Sequence, residues 1–278
     1  MEYIRLSNGV DVPGIGFGTW QAPENEVTKN AVKLALETGY RHIDAASRYC
    51  NEQWVGEGMK ESGVKREEIF LTGKLWNNAL TYDDAIREFE KSITDLKTEY
   101  LDLYLIHWPR PVVCRDTYIE RNVQVWKAME DLYKDGKIKA IGVSNFKVHH
   151  MEELMERTEI MPMVNQIEFH PGFTQPEVVE FCKRNEIAVE AYSPLSFGGV
   201  FKCPELLQIA KEAGVDVAKL CYRYVLQKGI ITLTKSVTPE RIVENRKLDF
   251  ILSDQVMAKI DAVTTCEGRK RDSDKMDF

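Results

Sequence analysis

The stretch Gly14-Ile15-Gly16-Phe17-Gly18-Thr19-Trp20 decides between two folds. Short apolar runs alternating with helical patterns build both closed barrels and open doubly wound sheets. In the open dinucleotide-binding sheet, a glycine-rich turn after the first strand meets a pyrophosphate at a helix N-terminus. Here the glycines alternate within the apolar run itself, and Thr19-Trp20 follows where a further glycine would be needed. The acidic residue closing the next run, Asp44, has a different candidate role. We therefore read the segment as a strand and not as a phosphate-binding turn.

Outward from that strand, Ile15 to Gly18, seven more short runs follow: His42 to Asp44, Ile69 to Gly73, Asp102 to Ile106, Ala140 to Val143, Val164 to Ile167, Ala188 to Tyr192 and Ile230 to Leu233. Between them lie apolar residues at three- and four-residue spacings, such as Val27, Ala31, Leu34 and Ala35, or Tyr82, Ala85, Ile86, Phe89, Ile93 and Leu96. Such stripes are the buried faces of amphipathic helices. Gly39, Gly63, Gly136 and Gly229 close helical patterns where a left-handed stop is expected. Eight strands alternating with helices predict an α/β fold, a closed (β/α)8 TIM barrel. Tyr3 to Leu6 and Val10 to Val12, joined by Ser7-Asn8-Gly9, predict an N-terminal β-hairpin.

The 278 residues, 44% of them hydrophobic, suit one barrel domain spanning 1–278. The balance of 37 basic and 44 acidic side chains gives −7, which offers no general attraction to nucleic acid or anionic membranes. Met1 to Leu6 lacks the apolar core of a signal peptide, and no apolar run approaches the roughly 20 residues of a membrane helix. A cytoplasmic protein, a monomer acting on small molecules, is the expectation. Cys50, Cys114, Cys182, Cys203, Cys221 and Cys266 show no CxxC spacing, so reduced thiols and no metal site are expected. His149-His150 reads as surface, because adjacent histidines lack helical ligand spacing.

Asp44 ends one apolar run, while Tyr49, Lys74 and His107 fall just after three of them. In a parallel barrel those strand ends meet on one face. A phenol is a poor proton donor or acceptor at neutral pH, but a nearby ammonium favours its ionised form, so Lys74 is expected to lower the Tyr49 pKa. Asp44 would pair with Lys74 and compensate its burial. A neutral His107 would polarise a substrate carbonyl while Tyr49 supplies the proton that completes an alcohol. No side chain donates hydride, so a nicotinamide cofactor is implied. Two alternatives stand beside this reading: Lys74 as a Schiff-base nucleophile, and a regulatory or interaction protein that binds a cofactor on the same barrel.

The strings that carry these residues resemble the aldo-keto reductase superfamily. They are Asp44-Ala45-Ala46-Ser47-Arg48-Tyr49 with Asn51-Glu52 and Val55-Gly56, Leu103 to Pro109, Gly142-Val143-Ser144-Asn145-Phe146, and Lys235-Ser236 with Arg241 and Glu244-Asn245. The resemblance, which runs from the hairpin to about Ile260, implies reduction of an aldehyde or ketone with NADPH bound in extended form on the barrel. Tyr49 would be the general acid or base, Lys74 and Asp44 its tuning partners, and His107 the carbonyl-orienting residue. Ser144, Asn145 and Gln166 match residues that bind the nicotinamide carboxamide, and Tyr192 matches the ring that stacks on it. Ser193 and Leu195 fall in the segment near the pyrophosphate, and Gly18, Thr19 and Asp44 are further cofactor candidates. Lys235, Ser236, Val237, Thr238 and Arg241 match the 2′-phosphate site, and Glu244 and Asn245 its adenine side. The cations there favour NADPH over NADH, although Thr234 stands where many relatives have proline. Trp20, Trp76 and Trp108, with Tyr49 and His107, match a substrate pocket. The charged tail from Glu267 to Asp277 is expected to be mobile until bound or packed.

Overall fold

Strands β1 (Tyr3–Arg5) and β2 (Asp11–Pro13) pair antiparallel in the computed structural model, which describes residues 2–278. Asn8 Nδ2 donates to Lys139 O at 2.9 Å, and Leu6 and Val12 are buried. The hairpin thus covers the barrel end where the strands begin.

The barrel strands are β3 (Ile15–Gly18), β4 (His42–Asp44), β5 (Phe70–Leu75), β6 (Leu103–Ile106), β7 (Ile141–Ser144), β8 (Val164–Glu168), β9 (Ala188–Tyr192) and β10 (Ile231–Thr234). Every neighbouring pair is parallel, and β10 closes the ring by pairing with β3. The fold is therefore the expected TIM barrel with an added hairpin. Several strands run a residue or two farther toward their C-terminal ends than expected. Because Lys74 pairs with Leu105 and Leu75 with Ile106, Lys74 lies inside β5 and not beyond its end. At Gly142 an added Cβ would sit 2.5 Å from Val164 O, so only glycine lets β7 and β8 approach this closely.

Helix α1 (Glu26–Glu37) starts at Asn25, whose side chain accepts from Val27 N. It buries Ala31 and Ala35, but Val27 in its first turn is exposed, contrary to the expected stripe. Helix α2 (Glu52–Glu61) follows the Tyr49 turn, and helix α3 (Tyr82–Asp95) opens with a Thr81–Asp84 capping box. Gly39, Gly63, Gly136 and Gly229 all adopt positive φ. Among the described residues, no helix is long and apolar enough to cross a membrane.

The tail packs over the face where the strands end. Lys270 N and Arg271 N both donate to the Glu168 carboxylate, and Asp274 meets Lys147, Arg110 and His150. Phe278 lies against Trp76 and Trp108. His150 corrects the surface reading: it is fully buried, with Nδ1 accepting from Lys147 N and Nε2 3.0 Å from Asp274 Oδ1. His149 is exposed as expected. His149, His150 and Asp274 place their ligand atoms within 4.8 Å of one another, but Lys147 and Arg110 already neutralise Asp274.

Candidate active site

Strand register brings the first two residues together. Asp44 pairs with Thr72, and Lys74, two positions on in the same strand, projects from the same side. Lys74 Nζ donates to Asp44 Oδ1 and Oδ2 at 2.6 and 2.7 Å and to Ala45 O at 2.9 Å. It also reaches Tyr49 Oη at 3.3 Å. Both Asp44 and Lys74 are buried, so this is a desolvated ion pair whose remaining hydrogen-bond capacity is met locally. Burial pulls the Lys74 pKa down, but Asp44 and Tyr49 outweigh it and leave it raised. An amine held as ammonium has no lone pair to attack a carbonyl, which argues against Lys74 as a Schiff-base nucleophile.

Tyr49 departs from expectation in the sign of its shift. Burial pushes its phenol up to about 12, and Lys74 offsets only part of that push. The resting phenol is thus firmly protonated. Its ring stands edge-on to His107 with centroids 5.7 Å apart, and Trp76 flanks His107 from another side at 5.1 Å. Burial, then Lys74, Arg271 and Arg48, hold the His107 pKa well below the usual range, so the imidazole is neutral.

A second cluster ties the ends of four strands, β6 to β9, together. Asn145 adopts φ +65, a left-handed conformation that asparagine tolerates. That turn lets its Nδ2 donate to His107 O and Ser144 Oγ, both at 3.0 Å, while Oδ1 accepts from Tyr192 Oη at 2.7 Å. Ser144 Oγ donates to Gln166 O. Gln166 Nε2 donates to Asp44 Oδ1 at 2.8 Å and to Glu190 Oε2 at 2.7 Å, which joins this cluster to the ion pair.

These groups, except Lys74 and Glu190 behind them, open onto one cavity of about 660 Å³. Asp44, Tyr49, Trp20, Trp76, His107 and Trp108 line one region, and Gly18, Ser144, Asn145, Gln166, Tyr192, Ser193, Leu195 and Lys235 also face it. Thr19 does not: its hydroxyl and N–H both donate to Asp44 O. Ser236, Val237, Thr238, Arg241, Glu244 and Asn245 are also absent from the lining. Ser236 Oγ accepts from Thr238 N, and Glu244 is paired with Lys219 and Lys247.

Sequence reasoning assigned no role to Glu190, Arg48, Arg269, Arg271 or Phe278. A carboxylate inside the apolar run Ala188 to Tyr192 was a readable signal for Glu190, and Arg48 adjoins Tyr49. The tail residues carried no local signal, because only the return of the tail to the barrel mouth brings them in.

The aldo/keto reductase family model matches residues 14–265. The glyoxal reductase of Bacillus subtilis (strain 168) is 47% identical over 267 residues, covering 96% of this chain and 94% of that one. An aldo-keto reductase enzyme from a Medee basin deep-sea metagenome library has a solved structure with a TM-score of 0.92, 39% identity and 100% coverage of both chains. A Bombyx mori aldo-keto reductase solved in complex with NADP gives a TM-score of 0.84 at 35% identity, covering 94% of this chain and 92% of that one. The chain belongs to the aldo/keto reductase family and is an oxidoreductase.

Proposed function

We propose that this chain reduces an aldehyde or ketone to the alcohol, using NADPH and the phenol of Tyr49 as proton donor. The observation that carries the proposal is the chain of contacts from Asp44 through Lys74 Nζ to Tyr49 Oη, beside a neutral His107. The Bacillus subtilis relative, named a glyoxal reductase, and the NADP complex of the Bombyx mori enzyme support the same reading.

The residues present fit the cofactor. With Nε2 committed to Asp44 and Glu190, Gln166 has Oε1 left as an acceptor for the carboxamide amine, beside Ser144 and Asn145. Tyr192 supplies a flat ring on the cavity wall. Lys235 bonds only to Gln21 O, and the Arg241 guanidinium makes no hydrogen bond or ion pair among the described residues. Both cations are therefore free to bind a phosphate. When bound, NADPH supplies the hydride that reduces the carbonyl carbon.

The remaining work falls to the protein. His107 orients the carbonyl, and Tyr49 delivers its proton to the oxygen as negative charge develops there. Lys74 stabilises the phenolate left behind, and Asp44 keeps that ammonium in place. The aromatic wall of Trp20, Trp76 and Trp108 excludes water from the reacting atoms.

A panel of aldehydes and ketones, followed by loss of reduced-nicotinamide absorbance, tests the proposal. Carbonyl-dependent NADPH consumption with formation of the alcohol is expected. NADPH binding without turnover of any panel member would instead favour the cofactor-binding regulatory protein.

A further inference from the structure

We infer that the substrate is a carboxylate-bearing aldehyde or ketone, its anion held by Arg48 and Arg271 beside the carbonyl site. The inference rests on the reductase reading and narrows its substrate class.

Four cationic side chains, Arg48, Lys235, Arg269 and Arg271, line the cavity, against a single acidic one, Asp44. Asp44 is consumed by Lys74. Among the described residues, no ion pair or side-chain hydrogen bond satisfies the guanidiniums of Arg48, Arg269 or Arg271. The contrast with the rest of the tail is informative, because Arg110 and Lys147 are paired with Asp274. A chain with formal charge −7 has abundant carboxylates, yet the only Asp or Glu among the described residues that lines this cavity is Asp44, already paired with Lys74. Such a cavity concentrates positive potential where an anionic substrate would enter.

The arginines are also positioned. Arg48 lies over the Trp76 ring at 5.3 Å, and Arg271 lies 5.8 Å from the Trp20 ring and 6.0 Å from that of Trp108. Arg269 sits farther along the wall, over Phe197 at 4.3 Å and Trp20 at 5.2 Å. A guanidinium resting on an aromatic face keeps its N–H edge free for a carboxylate. The rings of Trp20, Trp76 and Trp108 line the cavity with His107, and Arg48 immediately precedes Tyr49 in the chain. The Trp76 ring under Arg48 stands 5.1 Å from His107, the group that would orient the carbonyl, and Arg271 lies by Trp108, the next residue in the chain after His107. The carboxylate would therefore lie within a few bonds of the reacting carbon, with the rest of the molecule against the tryptophans.

The cofactor pyrophosphate is the rival anion for Arg269 and Arg271, and a matched substrate pair separates the two. The acid 4-carboxybenzaldehyde and the amide 4-formylbenzamide share size and reacting group and differ in charge. Wild type is expected to prefer the acid in kcat/KM, with the preference shrinking as salt is added. Arg48→Gln and Arg271→Gln should each reduce the acid-to-amide ratio by about tenfold or more, the range of a charge-assisted contact. A wild-type ratio near one overturns the inference. So does a ratio unchanged in both variants, with weakened NADPH binding reassigning the arginines to the cofactor. Quenching of tryptophan fluorescence in the NADP+-loaded enzyme gives a readout independent of turnover. Tighter binding of the acid, lost in Arg48→Gln, supports the anion site even if the reductase reading fails, and equal binding of acid and amide overturns it.

Discussion

A phenol buried beside an ammonium is pulled two ways, and at Tyr49 burial wins, leaving the phenol protonated. The phenol therefore carries the proton a donor needs, but it releases that proton less readily than the lowered pKa expected from the sequence would allow. The reason was not legible there: residue types disclose that Lys74 is near, but only the packed site reveals how much water Tyr49 has lost. Glu190 shows the same physics in a carboxyl group. Burial and the Asp44 charge raise its pKa from 4.5 to about 8. A carboxyl that holds its proton more tightly in the fold stabilises the fold at low pH. That contribution is complete below 4.5 and is lost as pH rises through about 8. His42, Gln166, Asp44 and Lys74 surround this group and shape the window. Urea unfolding across it should show wild type losing stability with rising pH relative to Glu190→Gln. Parallel curves for the two proteins would sink this assignment.

At the scale of elements, all eight barrel strands and the hairpin were readable, because each is a short apolar run bounded by turn residues. Their ends were less readable. β5 continues through Lys74 because β6 offers hydrogen-bond partners there, which is a property of the neighbour and not of the segment. The first turn of α1 failed similarly: Val27 has the right spacing but no element packed over it. The tight β7–β8 seam at Gly142 leads to a direct expectation. In Gly142→Ala the new methyl must displace both the Val164 carbonyl and the Leu105 side chain, at a cost of about 1–3 kcal/mol for overpacking. Thermal unfolding of that variant should begin at lower temperature, and an unchanged melting curve would show that the seam opens freely.

At the scale of the whole molecule, closure of the barrel and return of the tail assemble a cavity from segments distant in sequence. The four residues proposed to carry the chemistry were legible as a set because each sits at or near a strand end, and parallel strands end on one face. The positive lining was not, since Arg269 and Arg271 reach it only through the fold of the tail. Cofactor choice is tested at Arg241, outside the cavity lining. Arg241 is exposed, so its contact with a phosphate would be partly screened. Arg241→Ala should still weaken NADPH about tenfold more than NADH at low salt. Equal weakening of both cofactors, measured by fluorescence titration, would make Arg241 a support for its loop.

The central claim is that the end of β4, the Tyr49 turn and β5 form one proton-donating unit, in which Lys74 acts through Tyr49. A double-mutant cycle of Tyr49→Phe and Lys74→Met, read as kcat/KM per NADPH-binding site, tests this most directly. Counting only binding sites corrects for molecules unfolded by the unpaired Asp44 charge. Tyr49→Phe should lose on the order of 10²–10⁴-fold, the range for a general acid. With the phenol gone, Lys74 has no proton donor left to assist, so the double variant should be no slower than Tyr49→Phe alone. A double variant that loses the product of the two single losses, or a Tyr49→Phe enzyme that reduces carbonyls at the wild-type rate, would contradict the claim.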